Sequence, residues 1–590
     1  MRLTHARPAT GGCQRKAALG LPLAVQSGAL HLPRMMTATY VRAECTALAF
    51  AALCGCTHPS ATSTFISAPN APAGDWPSYN RTLAGDRFSP LAEIDRANVS
   101  TMRQICTYTL PEVAALQAGP VVVGGAMYLS TDTITYAIDP GTCAERWRRA
   151  RHVAIPGGGP AVNRGVAYLD GRIFRGTSDA HVLALDATDG HTQWDVQLDV
   201  AGPGVQVPMA PIAWHGLVFI GNAGGDRAGV IGHVYALDAA TGRVAWKFDV
   251  VPEAGPARAT WGRGAASAYP ISGGAFWTSF TLDERSGVLY VSAGNPAPDF
   301  DSAMRDGENL YANSLIALDA ATGRMLGFNQ LVKHDFHDWD VDSPSPVVPT
   351  RSGRAVVASA NKDGLLSVVD RSRLDTRAAV ESLVSSGTAP SELPVLYQVP
   401  TTTRENIEVP LSRDHATRFC PGILGGSEWN GAAYDPTRNT FFVGANDWCS
   451  TVQLQSESAL VPRVGAPWFG NTSGGQRMDS ASAAKGWVTA YDAETGKVRW
   501  KFQAPKPVLA GVTPTAGGLV FTADLGGNVY AFDADDGRIR WLTSSGQSIG
   551  GGVVSYLAGG HQRIAVAAGM RSPIWPGGSQ SSRVIVYGVR

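Results

Sequence analysis

One phrase recurs along this chain and decides most of what the chain can fold into. It reads YAIDPGTCAERW at 136–147, LALDATDGHTQW at 183–194 and YALDAATGRVAW at 235–246. It returns as IALDAATGRMLGF at 316–328, TAYDAETGKVRW at 489–500 and YAFDADDGRIRW at 530–541, with degenerate copies around Asp283, Asp370 and Asp435. Asp139, Asp186 and Asp238 follow one another at 47 and 52 residues, and Asp533 follows Asp492 at 41. A strand-patterned repeat of that period is the signature of a propeller. Residues such as Val234, Tyr235, Ala236 and Leu237 suit a strand, and the Asp and Thr-Gly suit a tight turn in which Gly takes positive φ. The closing Trp offers a large apolar face to the neighbouring blade. About eight such units fit the chain from residue 74 to 590. The expected fold is therefore all-β, an eight-bladed β-propeller whose closure hides most sheet edges. As turn and packing residues, the repeated Asp, Gly and Trp need no catalytic role.

Composition agrees with this. Glycine is 67 of 590 residues, above the usual share of about 7%, as many tight turns require. The 15 Trp, 16 Tyr and 18 Phe argue against disorder over most of the chain. Lys plus Arg and Asp plus Glu are both 49, so there is no overall basic excess of the kind a nucleic-acid binder carries.

The N-terminus reads as an address. The apolar run TALAFAALCGC, residues 46–56, is too short to span a bilayer, which takes about 20 residues. It follows Arg42 and ends in small residues, as a secretory signal does. Its end, Leu53-Cys54-Gly55-Cys56, is similar to a bacterial lipobox with Cys56 as the lipidated residue; a cleaved signal without lipid is the other reading. Residues 57–73 are rich in Ser, Thr, Pro and Ala, which suits a flexible tether. Met35 and Met36 stand where a start would give a signal of ordinary length. The organisation expected is a leader over 1–56, a tether over 57–73 and a propeller over 74–590, in the periplasm, with any membrane contact made through a lipid anchor. Beyond residue 56 there are 43 basic and 48 acidic residues, a net charge of −5. In an oxidising compartment the remaining cysteines suggest two disulfides, and nearest-neighbour pairing gives Cys106–Cys143 and Cys420–Cys449. No CxxCH motif occurs, so no covalent c-type haem is expected.

Four places carry polar chemistry that the repeat does not need. The densest is KHDFHDWDVD, residues 333–342, with His334, Asp335, His337, Asp338, Asp340 and Asp342 around Trp339. So many acids cannot all be buried without a metal or a basic partner, and the embedded aromatic residues argue against a wet loop. A metal site with a general base is the functional reading; a solvated loop is the other. In SAGNPAPDF (292–300) a Gly and two Pro fix a rigid turn, and Asn295 offers a carbonyl oxygen fit for a hard cation. GNAGGDRAGVIG (221–232) is a Gly-rich turn holding Asp226, with no following helix to make it a dinucleotide fingerprint. ISGGAFW (271–277) presents Trp277.

Together these residues resemble the quinoprotein alcohol dehydrogenases, eight-bladed enzymes that bind pyrroloquinoline quinone (PQQ). The resemblance runs from GDWPSYNRTLAGDRFSPLAEIDRANV (74–99) to GGLVFTADLGGNVYAFDADDGRIRW (517–541). It is most specific where Trp277 precedes Asn295 by 18 residues and HDFHD follows about 40 residues later. It implies that Asp226 stands at a Glu metal ligand of the family, that Asn295 is the Asn ligand and that Asp338 is the catalytic Asp. Trp277 matches the aromatic floor under the quinone, and Lys362, in SANKDG, the cation that reaches the quinone oxygens. Arg164, in VNRG, matches a contact to a cofactor carboxylate, and Trp429, in GGSEWNG, a residue near the ring. Cys420–Cys449 is similar to a disulfide of the family.

Three departures stand out. Asp226 is one methylene shorter than Glu. Where the methanol-oxidising branch has two adjacent cysteines, this chain has Gly158-Gly159. Asp340 lies two residues after Asp338, an offset at which the lanthanide-using branch has an extra Asp ligand; some calcium or magnesium members share it. The ion expected is Ca2+, with a lanthanide as the alternative. Asp342 reads equally well as a surface acid.

The resemblance implies hydride transfer from an alcohol to metal-bound quinone, with Asp338 as general base and Lys362 stabilising the developing negative charge. Electrons would pass to a separate acceptor, a periplasmic cytochrome c by family resemblance. The competing reading is a non-catalytic, lipid-anchored propeller that serves as an envelope assembly scaffold. Such a scaffold needs none of Asp226, Asn295, Asp338, Lys362 or Trp277.

Overall fold

Each copy of the phrase builds the two outer strands of a blade and the turn between them. In the third copy, Leu217–Gly221, His233–Asp238 and Val244–Asp249 pair antiparallel in that order, with Ile212–Trp214 on the other edge. Val218, Phe219, Ile220, Val234, Tyr235, Ala236 and Leu237 are all fully buried, because neighbouring blades cover both faces of these strands. Their apolar runs are therefore continuous and not alternating. The outer strand Val244–Asp249 is half exposed and carries the polar residues.

The computed structural model describes residues 72–153, 162–200, 202–262 and 269–589. Among them are eight sheets of four or five strands, the number of blades that the repeat spacing allows. The molecule is a β-propeller. Its ring closes through the N-terminal strand Arg103–Thr109, which pairs antiparallel with the C-terminal strand Arg583–Gly588. Both expected disulfides are present: Cys106–Cys143, which ties the closing strand to the hairpin turn of the first blade, and Cys420–Cys449. The leader, Cys56, most of the tether and Gly158-Gly159 lie outside the described residues. No helix among the described residues is long and apolar enough to cross a membrane.

In four copies the closing Trp docks on the turn of the next blade. The indole N–H of Trp147 donates to the Ala187 carbonyl, Trp194 to Ala239, Trp246 to Ala320 and Trp500 to Ala534 at 3.0–3.1 Å. The turn glycine has to lie flat beneath that ring. Gly242 has φ +73°, and a Cβ there would sit 2.8 Å from Val196 and 2.9 Å from Trp194. Gly242→Ala combines a left-handed strain of about 1–2 kcal/mol with overpacking of about 1–3 kcal/mol. The expected loss is about 2–4 kcal/mol of stability, read by urea unfolding.

Candidate active site

Four loops from three successive blades converge around one acidic point. The first is 222–232, between the strands Leu217–Gly221 and His233–Asp238. Its glycines serve close backbone approach: a Cβ on Gly224 would meet the Gly204 carbonyl at 2.3 Å, and one on Gly232 the Gly274 carbonyl at 1.8 Å. That packing seats Asp226 on the wall of a cavity of about 270 Å3 shared with Arg164, Trp277, Asn295, Asp340 and Lys362. The volume is near the lower end of the range for small-molecule sites, about 300–1,000 Å3.

The second loop follows the strand Val288–Ser292. Pro296–Ala297 pairs with Ser272–Gly273, which brings Asn295 beside the segment carrying Trp277. The Asn295 side-chain oxygen is buried without a hydrogen-bond donor, and so are both carboxylate oxygens of Asp299, four residues on. Oxygens of Asp226, Asp299 and Asp338 all lie within 4.8 Å of one another. An ion with ligand distances of about 2.3–2.6 Å can bridge oxygens that far apart.

The third loop is 333–342. Both oxygens of the Asp335 carboxylate accept backbone N–H groups, of His337 at 3.0 Å and of Trp339 at 3.1 Å, which folds the segment into a turn. His337 is buried in the aromatic stack, 4.0 Å from the Trp339 ring and 4.6 Å from Phe419. Burial pushes its pKa down to about 3, so it stays neutral. The exposed His334 faces the Gly307 carbonyl. Neither histidine belongs to the acidic trio. Asp338 is held at φ +66°, a conformation a non-glycine residue adopts mainly where its surroundings enforce it. Asp342 is not a surface acid: it is 1% exposed, because the chain turns inward after Asp340.

The fourth loop brings Lys362, whose Nζ is 2.6 Å from Asp340 Oδ2 and 3.8 Å from Asp338 Oδ1. Asp340 also accepts the Asn295 backbone N–H at 2.9 Å. Space for its carboxylate exists only because residue 294 is Gly, where a Cβ would lie 2.3 Å from Asp340 Oδ1. Arg164 lies 4.5 Å over the Trp277 ring and 5.2 Å from Trp429, and Lys362 lies 5.5 Å from Trp277. The Trp429 indole donates to the Gly550 carbonyl at 2.9 Å and meets Trp575 edge-on.

The electrostatics follow from burial. Burial first, then the Asp340 charge, pushes the Asp226 carboxyl up to about 6 against Lys362 and Arg227. Burial likewise raises Asp299 well above the usual carboxylate range, with Asp226 and Asp338 adding to it. Asp338 is also raised well above that range by burial, against Lys362 and with Asp226. Burial opposes the Lys362 charge, but Asp338 and Asp340 outweigh it and hold the ammonium well above its ordinary value. Carboxylates so placed call for a cation. A larger cavity of about 690 Å3 is lined by His337, Asp363 and Arg404 and includes none of the trio.

Asp299 was not legible as a site residue. It stands in the quoted turn, but nothing in the sequence separates it from a solvated acid; its spacing of four from Asn295 in a rigid Pro-rich turn was the available signal. Arg305 and Glu428 were missed as well. Burial raises the Glu428 carboxyl to about 7 against Lys362 and with Asp340.

Residues 76–392 match the family model named PQQ and described as the glucose/ethanol/alcohol dehydrogenase β-propeller domain. The chain belongs to the PQQ-dependent alcohol dehydrogenase family. Residues 484–572 of this quinoprotein match a second model, named for the outer membrane protein assembly factor BamB. It is 28% identical over 558 residues to the quinohemoprotein alcohol dehydrogenase ADH IIB of Pseudomonas putida, covering 88% of this chain and 78% of that one. It is 26% identical over 554 residues to the methanol dehydrogenase [cytochrome c] subunit 1 of Paracoccus denitrificans, covering 85% and 84%. Among solved structures, the quinohemoprotein alcohol dehydrogenase of Comamonas testosteroni superposes with a TM-score of 0.75 at 24% identity, covering 88% of this chain and 81% of that one. A europium-containing methanol dehydrogenase does so with 0.74 at 24%, covering 88% and 98%.

Proposed function

We propose that this quinoprotein oxidises an alcohol in the periplasm with PQQ and a metal ion, and passes the electrons to a separate acceptor such as a cytochrome c. The observation that carries the reading is the convergence of Asp226, Asp338 and the unpartnered Asn295 oxygen beside a cavity that also holds Trp277, Arg164 and Lys362. Asp226, Asn295 and Asp338 would hold the ion, and their all-oxygen donors suit a hard cation such as Ca2+ or a lanthanide. The Trp277 face would carry the quinone, with Arg164 and Lys362 supplying positive charge to its carboxylates and oxygens. When bound, the quinone supplies the two-electron acceptor and the ion a Lewis acid. Asp338 accepts the hydroxyl proton of the alcohol. Lys362 stays cationic beside Asp338 and Asp340 and stabilises negative charge that develops within its reach. The leader would deliver the chain through the inner membrane, with Cys56 as the anchor if lipid is added.

Reconstitution tests this. The purified chain is given PQQ with Ca2+ or La3+, and dye reduction is followed with a panel of alcohols. Activity that requires both quinone and metal is the expected result; no quinone binding under either ion overturns it. Trp277→Ala is expected to weaken quinone binding at least about fivefold, because a stacking contact contributes about 1–3 kcal/mol. Fluorescence titration reads this apart from turnover. The match of 484–572 favours a second reading, an assembly scaffold. That segment contains none of Asp226, Asn295, Asp338, Trp277, Arg164 or Lys362, so it bears on the repeat alone.

A further inference from the structure

We propose that Asp299 is an additional carboxylate ligand of the metal ion, and that with it the site is built for a trivalent cation in preference to a divalent one. This rests on the metal-binding reading above and goes beyond the ligands that reading uses.

Asp299 differs from the other buried acids around it. Asp335 has its two oxygens on the N–H groups of His337 and Trp339. Asp340 has one oxygen on the Asn295 N–H and the other on Lys362. Asp299 is completely buried, and neither of its oxygens has a donor. Arg305 donates to the Asp299 backbone carbonyl at 3.0 Å, and so fixes the position of the residue while leaving its carboxylate without a donor. An ionised carboxylate without water or donors is costly to bury. One of its oxygens lies within 4.8 Å of oxygens of both Asp226 and Asp338, so it faces the same point as they do. The Asn295 oxygen is also buried and unpartnered, on a residue that lines the same cavity as Asp226, and is a second, independent donor atom left open to a cation.

Charge then selects among cations. Asp226, Asp299 and Asp338 bring three carboxylates to the point, and Asp340 beside them is paired with the Lys362 ammonium at 2.6 Å. The three carboxylates are matched by a trivalent ion, whereas a divalent ion leaves one of them unbalanced. Removing Asp299 should therefore weaken a trivalent ion more than a divalent one, since affinity at oxygen sites follows ligand charge count.

The test is Tb3+ luminescence sensitised by the tryptophans of the purified full chain, with Ca2+ as competitor. In the unsubstituted protein Tb3+ should bind at least about 100-fold more tightly than Ca2+. In the near-isosteric Asp299→Asn variant, Tb3+ affinity should fall at least about tenfold, the Tb3+ preference should shrink, and luminescence lifetimes in H2O and D2O should report about one more bound water. If Asp338→Asn abolishes sensitised emission while Asp299→Asn changes neither affinity, preference nor hydration, Asp299 is not a ligand and this proposal falls while the metal site stands. If the unsubstituted protein prefers Tb3+ by less than about tenfold, the proposal falls even where the variant does not fold. If Asp226→Asn and Asp338→Asn leave emission unchanged, the metal-binding reading itself is wrong.

Discussion

Asp338→Asn is expected to lower turnover of the quinone- and metal-loaded protein by about 10²–10⁴-fold, the range for losing a general base. That corresponds to about 3–5 kcal/mol of transition-state stabilisation. The substitution keeps the shape of the side chain but removes the proton acceptor and one negative charge at the ion. Lys362 retains Asp340 at 2.6 Å, so the cation beside the site is not orphaned. Folding should therefore survive, and removing one of several crowded buried carboxylates should leave the metal-free protein at least as resistant to heat. Steady-state kinetics with saturating quinone and metal, alongside a thermal melt of the metal-free protein, separate these effects. Turnover close to that of the unsubstituted protein would move the base elsewhere. A collapse in melting temperature would make Asp338 a structural residue.

How far the sequence could be read depended on the kind of interaction. The propeller was legible because its signal is local and repeated. The Asp of each phrase folds its own turn: Asp238 accepts the Thr241 N–H at 2.8 Å and the Thr241 hydroxyl at 2.7 Å. The Trp then reaches one copy onward, a distance set by the period. The pairing of Cys106 with Cys143 was legible for the same reason, since both lie within one repeat of the closing strand. The acidic site is different, because its members come from four loops between residues 222 and 362 and meet only when successive blades pack together. Asp226, Asn295 and Asp338 could be named from family spacing. Asp299 could not, because nothing local distinguishes a carboxylate without a donor from one in water. Asp342 and Asp335 show the same limit from the other side. In KHDFHDWDVD every acid looks alike, yet the fold spends Asp335 on backbone N–H groups and buries Asp342.

Arg305→Met should destabilise the protein by about 3–5 kcal/mol, as breaking a buried charge network does, and should also dismantle the metal site. Arg305 is 2% exposed and donates to four acceptors from three segments. Its Nε reaches the Pro298 carbonyl at 3.0 Å, and Nη2 reaches the carbonyls of Asp299 at 3.0 Å and Asp335 at 2.5 Å. Nη1 reaches the Asn309 side-chain oxygen at 3.1 Å. Burial lowers its pKa to about 10, with Asp335 and Asp299 opposing, so it remains charged at neutral pH. One guanidinium thus ties the turn that carries Asn295 and Asp299 to the turn that carries Asp338. Met fills much of the same volume but leaves those acceptors unbonded in a dry interior, and removes the one cation between Asp299 and Asp335. Lys at this position keeps the charge but not the planar fork, so Arg305→Lys should be intermediate in stability and still poor in metal affinity. Urea unfolding and Tb3+ titration of both variants distinguish the two roles. If Arg305→Met costs less than about 1 kcal/mol, the two turns are held by their own loop packing, and positioning of the acids has to be credited to the aromatic stack around His337.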